Sequence, residues 1–299
     1  MTAERRATGL ILLSACAFGS LATAVTLAER QGVALIALMA WRYALAAPLL
    51  VLAAGGLRAL RIPRRDALTL LLLGGTGQMV ITTMSFSSLQ WLTAAQLGFL
   101  FYTYPAWVAL FMALGGVEPL TRGRVAALGL ALAGITMMVG RPWASAIPAP
   151  GLWLALGSAA IYAAYIPLLH RLRGPHSAAV ASTYVISGAA LALSGWSAAQ
   201  GTLFRQMTPA MWGLALACAV IGTVVAFITF LRGLEVLGAV RTAILSTVEP
   251  FWNAVLAAVV LRQPITPMTV AGGTVIMAAI VLLQRSAHPA LATDAPAPE

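Results

Sequence analysis

Two ionisable side chains, Arg42 and Glu249, lie near the middle of long apolar runs. A charge at that depth in a bilayer is costly, so each needs a partner or a task. Two chemistries account for the pair. They can neutralise each other as a structural ion pair. Alternatively, Glu249 meets a substrate ammonium or takes up a proton, while Arg42 holds a carboxylate or a structural carbonyl. Both readings stand at this level.

Polar and aromatic residues at similar depth extend the set. Gln78, Thr82 and Ser85 fall on one helical stripe, at spacings of four and three. Gln78 carries both a donor and an acceptor, which suits the two termini of an amino acid, with hydrogen bonding between helices as the competing role. Phe99, Phe101, Tyr102, Tyr104 and Trp107 crowd one run, Tyr162 and Tyr165 another, and Phe227, Phe230 and Trp252 two more. Since a helix has several faces, not all of these can meet one cavity. The residues expected to touch a substrate are Gln78, Thr82, Tyr102, Tyr162, Phe227, Ser246, Glu249 and Asn253. Trp91 and Trp143 fit an interfacial aromatic belt. Pro105 and Pro250 fall inside apolar runs, where each removes a helix hydrogen bond and leaves a carbonyl needing a partner. They read either as fixed kinks or as a matched pair of hinges.

The elements that must carry these residues follow from composition. Of 299 residues, 61% are apolar and only 9% charged, against about 25% charged in a soluble domain. With a mean hydropathy of +0.91, the bilayer must act as solvent. A ruler of about 20 apolar residues per span marks ten segments, at 8–28, 33–54, 67–88, 93–115, 122–140, 151–170, 177–198, 209–231, 239–261 and 267–285. The net charge of +10 comes from 18 basic residues, all arginine and nearly all between apolar runs. That is membrane-flanking charge, not a nucleic-acid surface. With a cytoplasmic N-terminus, 13 arginines fall inside and Arg30, Arg141, Arg205 and Arg262 outside. This bias predicts ten spans with both termini cytoplasmic.

Other classes are disfavoured. His170, His176 and His288 lie at helix ends or in the tail, no phosphate-binding glycine loop occurs, and no paired mid-membrane carboxylates appear. The reading is therefore not an enzyme, with no metal and no cofactor. Cys16 and Cys218 lie inside apolar runs and support no disulfide framework. Arg5, Arg6 and the stretch Leu13–Cys16 mimic a cleaved leader, but the apolar run continues to Ala28, which is spanning length.

The chain also repeats itself. A shift of 145 residues aligns 89–138 with 234–283 without a gap, matching Pro105 to Pro250, Trp107 to Trp252, Pro119 to Pro264 and Thr121 to Thr266. Five spans per half is an odd number, so the halves enter the membrane in opposite senses, a recurring transporter architecture. The expected fold is an all-α membrane protein of ten transmembrane helices in two inverted five-helix repeats. The expected units are 1–145, 146–287 and a disordered tail, 288–299, rich in Ala and Pro.

The chain resembles the EamA-type, ten-helix branch of the drug/metabolite transporter superfamily. Arg42-Tyr43, Pro105 with Glu118 thirteen residues later, Glu249-Pro250, and Gly129, Gly134, Gly272 and Gly273 carry the resemblance. Gln263 departs from it, standing where such proteins often have Glu. The resemblance implies a basket of helices around a central cavity, with the third, fourth, eighth and ninth spans near its axis. It also implies a small-molecule exporter of the bacterial inner membrane, with a monomer as the expected state, working by alternating access. The aromatic fourth span points within that class to amino acids, aromatic ones included. Efflux of a purine, a sugar or a drug is the competing transport reading. A scramblase or a sensor partner is the non-transporting one.

Overall fold

A computed structural model of the chain describes residues 3–92, 94–139, 148–204 and 207–286. Arg141, Trp143, Arg205, His288 and the tail lie outside the described residues. Those described form helices joined by turns and short irregular connections, with no strand among them. Seven stretches are long and apolar enough to cross a membrane unaided. The shorter apolar helices Val248–Leu261 and Pro267–Leu283 and the helix Arg122–Val139 complete a set of ten spans among the described residues.

In the first half these are α1 (Ala3–Arg30), α2 (Leu35–Ala53), α3 and α4 (Arg64–Leu72 and Gln78–Ser88), α5 and α6 (Ala94–Phe101 and Tyr104–Leu114), and α7 (Arg122–Val139). The second half holds α8 (Ala149–Leu172), α9 (Ala178–Ala199), α10 (Pro209–Ala219), α11 (Ala226–Leu245), α12 (Val248–Leu261) and α13 (Pro267–Ser286). A π-helical segment, Leu73–Gly77, joins α3 to α4, and a second, Val220–Val225, joins α10 to α11. Inside α11, Gly238 turns the chain with a φ of 76° and separates the eighth span from the ninth.

Helix packing repeats with the halves exchanged. α1 packs on α11 and α12, while α8, its equivalent, packs on α4 and α6. α2 meets α10 and the second π segment, and α9 meets α3 and the first. α7 and α13 pair with each other. At their crossing a Cβ on Gly134 would lie 2.6 Å from the Gly272 carbonyl oxygen, and one on Gly272 2.5 Å from that of Gly134. Small residues let backbones approach where lipid offers no hydrophobic drive for association.

The fourth and ninth spans are broken, not continuous as the hydropathy suggests. Turns at Tyr102–Thr103 and Ser246–Thr247 interrupt them. At each break a threonine hydroxyl folds back on the carbonyl three residues earlier, Thr103 on Leu100 at 2.6 Å and Thr247 on Ile244 at 2.7 Å. Pro105 and Pro250 then fall in the first turns of α6 and α12. Each proline lacks the N–H that would bond the carbonyl four residues earlier, Phe101 and Ser246. The expected gap in the ladder thus coincides with each break, while Thr103, Ser246 and Thr247 keep right-handed helical backbone angles.

One face of the bundle is closed by polar contacts between the halves. Glu4 pairs with Arg241 at 3.3 Å and Asp66 with His176 at 2.8 Å, and Tyr184 donates to the Leu60 carbonyl at 2.6 Å. Glu118 accepts from the Ala239 amide at 2.9 Å, capping the helix that starts there, and pairs with Arg124 at 3.2 Å.

Candidate substrate-binding site

From the opposite face a vestibule of about 550 Å³ runs inward between α1, α4, α5 and α12, lined by Thr23, Ser85, Leu97, Tyr102, Asn253 and Gln263 among others. Behind it lies a chamber of about 200 Å³. The two share Met39, Arg42, Ile81, Thr82 and Phe101 on their walls, so they form one path that stops short of the clasped face.

Small residues set the chamber's charged groups in place. Gly19 brings α1 against the backbone of Glu249, where a Cβ would come within 2.6 Å of its carbonyl oxygen. The start of α12 thus holds the Glu249 carboxyl on the chamber wall, beside the Tyr102 hydroxyl. Arg42 enters from α2 and is buried. Its Nε donates to Thr223 Oγ1 at 2.7 Å, Nη1 to Met39 Sδ at 3.3 Å and Nη2 to the Tyr43 hydroxyl at 3.2 Å. Its guanidinium also lies over the Tyr43 ring, 4.4 Å from the centroid.

Arg42 and Glu249 line the same chamber, yet no ion pair joins them; the ion pairs among the described residues lie elsewhere. The structural pairing considered from sequence is therefore not formed. A guanidinium has five N–H groups. Three are used here, all on neutral acceptors, which leaves one on each Nη. That is the fork which receives a carboxylate with two parallel hydrogen bonds.

The polar stripe of the third span faces this path. Gln78 lines the chamber, Thr82 both compartments and Ser85 the vestibule. Gln78 accepts from the Tyr43 hydroxyl at 3.3 Å. The apolar wall is aromatic. Phe101 stacks on Tyr162 with centroids 5.4 Å apart, and Phe18 meets Phe227 edge-on at 5.3 Å.

Of the residues expected at the site, Gln78, Thr82, Tyr162, Phe227 and Glu249 reach the chamber, and Tyr102, Asn253 and Pro250 line the vestibule. Asn253 accepts from Thr23 at 3.0 Å. Ser246 lines neither compartment and donates to the Thr242 carbonyl at 2.9 Å. Pro105 is likewise away from both. The site also reaches beyond the third, fourth, eighth and ninth spans, taking Phe18 from α1, Met39 and Tyr43 from α2, and Tyr165 from α8. Tyr165 occupies space that Gly77 leaves open, and its buried hydroxyl has no hydrogen-bond partner. Of these, Tyr43, next to Arg42, and Tyr165, in the aromatic set with Tyr162, carried a sequence signal.

Comparison with known proteins agrees with this fold. The model of the EamA-like transporter family matches the chain twice, over residues 6–140 and 149–285. No curated protein matches. Among solved structures, a crystal structure of a protein 22% identical to this chain superposes with a TM-score of 0.78, covering 94% of this chain and 97% of its own. At that identity the likeness speaks for the fold alone.

Proposed function

The chain belongs to the EamA-like transporter family, and from that premise we propose that this multi-pass membrane transporter exports amino acids, aromatic ones included. The substrate carboxylate takes the two free N–H groups of Arg42. Its ammonium meets Glu249 and the Tyr102 hydroxyl, and its side chain lies against Phe101, Tyr162, Phe18 and Phe227. One observation carries this reading: an arginine and a glutamate line one small chamber without an ion pair between them, and aromatic rings line it with them. A buried charge without a partner is unstable, and a zwitterion supplies both missing partners at once.

In this reading the clasped face is cytoplasmic, as the arginine distribution predicts, and the vestibule opens outward. The two five-helix units rock about the chamber, with the threonine turns before Pro105 and Pro250 as the flexible joints. Substrate leaves the cytoplasm down its gradient or in exchange for a proton.

The test is uptake of labelled amino acids by liposomes containing the purified protein. Saturable uptake of phenylalanine or tryptophan, absent from empty liposomes, is expected. Saturable flux of a purine, a sugar or a drug with none of any amino acid overturns the substrate assignment. No saturable flux of any solute overturns the transport reading.

A further inference from the structure

We infer that Thr223 is a positioning residue for the carboxylate subsite, aiming the Arg42 guanidinium at the chamber from the π-helical segment of the eighth span. This rests on the assignment of Arg42 to the substrate carboxylate.

A π turn widens the helix and releases carbonyls from its ladder. Within Val220–Val225, the Thr223 side chain turns back and donates to the Cys218 carbonyl at 3.2 Å. The same oxygen accepts from Arg42 Nε at 2.7 Å. The direction of both bonds is forced. A guanidinium accepts no hydrogen bond, and a threonine hydroxyl has a single proton. That proton must go to Cys218, and the lone pair to Arg42. Thr223 is fully buried, so no solvent can replace it. A guanidinium is planar. Holding Nε on Thr223 and one face over the Tyr43 ring leaves the plane no rotation, so the Nη edge has a fixed aim.

The other edge is held from the first half. Nη2 donates to the Tyr43 hydroxyl, which donates in turn to Gln78 Oε1 at 3.3 Å. Gln78 and Thr223 are separated by the same 145 residues that relate the repeats, and each directly follows a glycine of its π turn, Gly77 and Gly222. Equivalent positions of the two halves thus grip one guanidinium from two sides. The grip is not a by-product of packing. At its other contact the first π segment meets α9 through bare backbone, Gly74 against Val185 and Gly75 against Gly188. The second π segment meets α2 through a hydroxyl on a charge.

The experiment compares phenylalanine with phenethylamine, the same molecule without its carboxylate, in liposomes containing wild-type, Thr223→Val or Thr223→Ser protein. Valine keeps the shape and removes the acceptor. The expected result is a KM for phenylalanine raised about tenfold to a hundredfold in T223V, the worth of one hydrogen bond to a charged group. The KM for phenethylamine moves little, and T223S restores wild-type behaviour. Equal loss on both compounds, or no change on either, overturns the inference. If T223V does not insert, Thr223→Ala takes its place in the same comparison. Wild-type protein that handles the amine as well as the acid fails at Arg42 itself, a different result that overturns the carboxylate assignment and this inference with it.

Discussion

Arg42 and Glu249 show how much a single residue can announce. Their depth in apolar runs was legible in the sequence, because hydropathy alone measures depth. Whether they touch was not legible, because that depends on how α1, α2 and α12 pack. The absence of a direct ion pair gives Glu249 a role beyond neutralising Arg42. Glu249→Gln is therefore expected to insert and melt like the wild type while its amino-acid uptake falls about tenfold or more, one charged hydrogen bond being worth about 1.5–3 kcal/mol. Thermal melting beside uptake checks it, and parallel loss of expression and uptake would favour a scaffold role. Ser246 lies off the path for a local reason. Serine hydroxyls in helices readily bond the carbonyl one turn back, as this one does. Phe18 was not legible, because a helix apolar all round gives no sign of which face meets a cavity.

At the scale of elements, the ten spans were legible and their interruptions were not. Length and hydropathy count crossings, but they do not register π turns or a two-residue break whose flanks stay apolar. The prolines marked the breaks, since each lacks the N–H that would bond across one. Glycines gave a partial signal. Gly188 lets α9 lie with its backbone on Leu71, where any Cβ would overlap the carbonyl. Gly188→Ala should lower stability by about 1–3 kcal/mol, as overpacking of a tight contact does, or prevent insertion. Loss of thermal stability in detergent is the measure, and Gly9→Ala, at a position with open space around it, is the control expected to do nothing.

At the scale of the whole molecule, the repeat predicts symmetry and the structure shows where it is broken. The polar clasps between halves gather on the N-terminal face, with Glu118 capping the helix that begins at Ala239. The residue 145 positions later is Gln263, which lines the open mouth of the vestibule. A carboxylate at a helix N-terminus is worth about 0.3–1 kcal/mol more than a neutral group. The sequence departure at Gln263 thus concerns more than local capping. Glu118→Gln should loosen the closed face. The check is a cysteine at Leu169, deep in the chamber, in protein with Cys16 and Cys218 replaced by alanine. It should react faster with an impermeant thiol reagent added from the N-terminal side when Glu118→Gln is present, and equal rates would refute the role of the clasp.

The chamber's two charges have an electrical consequence. Arg42 and Glu249 are the charged side chains on its wall, and they cancel. A zwitterion adds nothing to the total, and neither side chain leaves the protein. A turnover that carries the amino acid alone moves no charge across the bilayer. The membrane potential, which does about 2.3 kcal/mol of work per elementary charge per 100 mV, then has nothing to act on. Uptake rates in vesicles held at zero and at large potassium diffusion potentials should coincide. A rate that follows the voltage would instead identify a proton as the second passenger, with Glu249 as its seat.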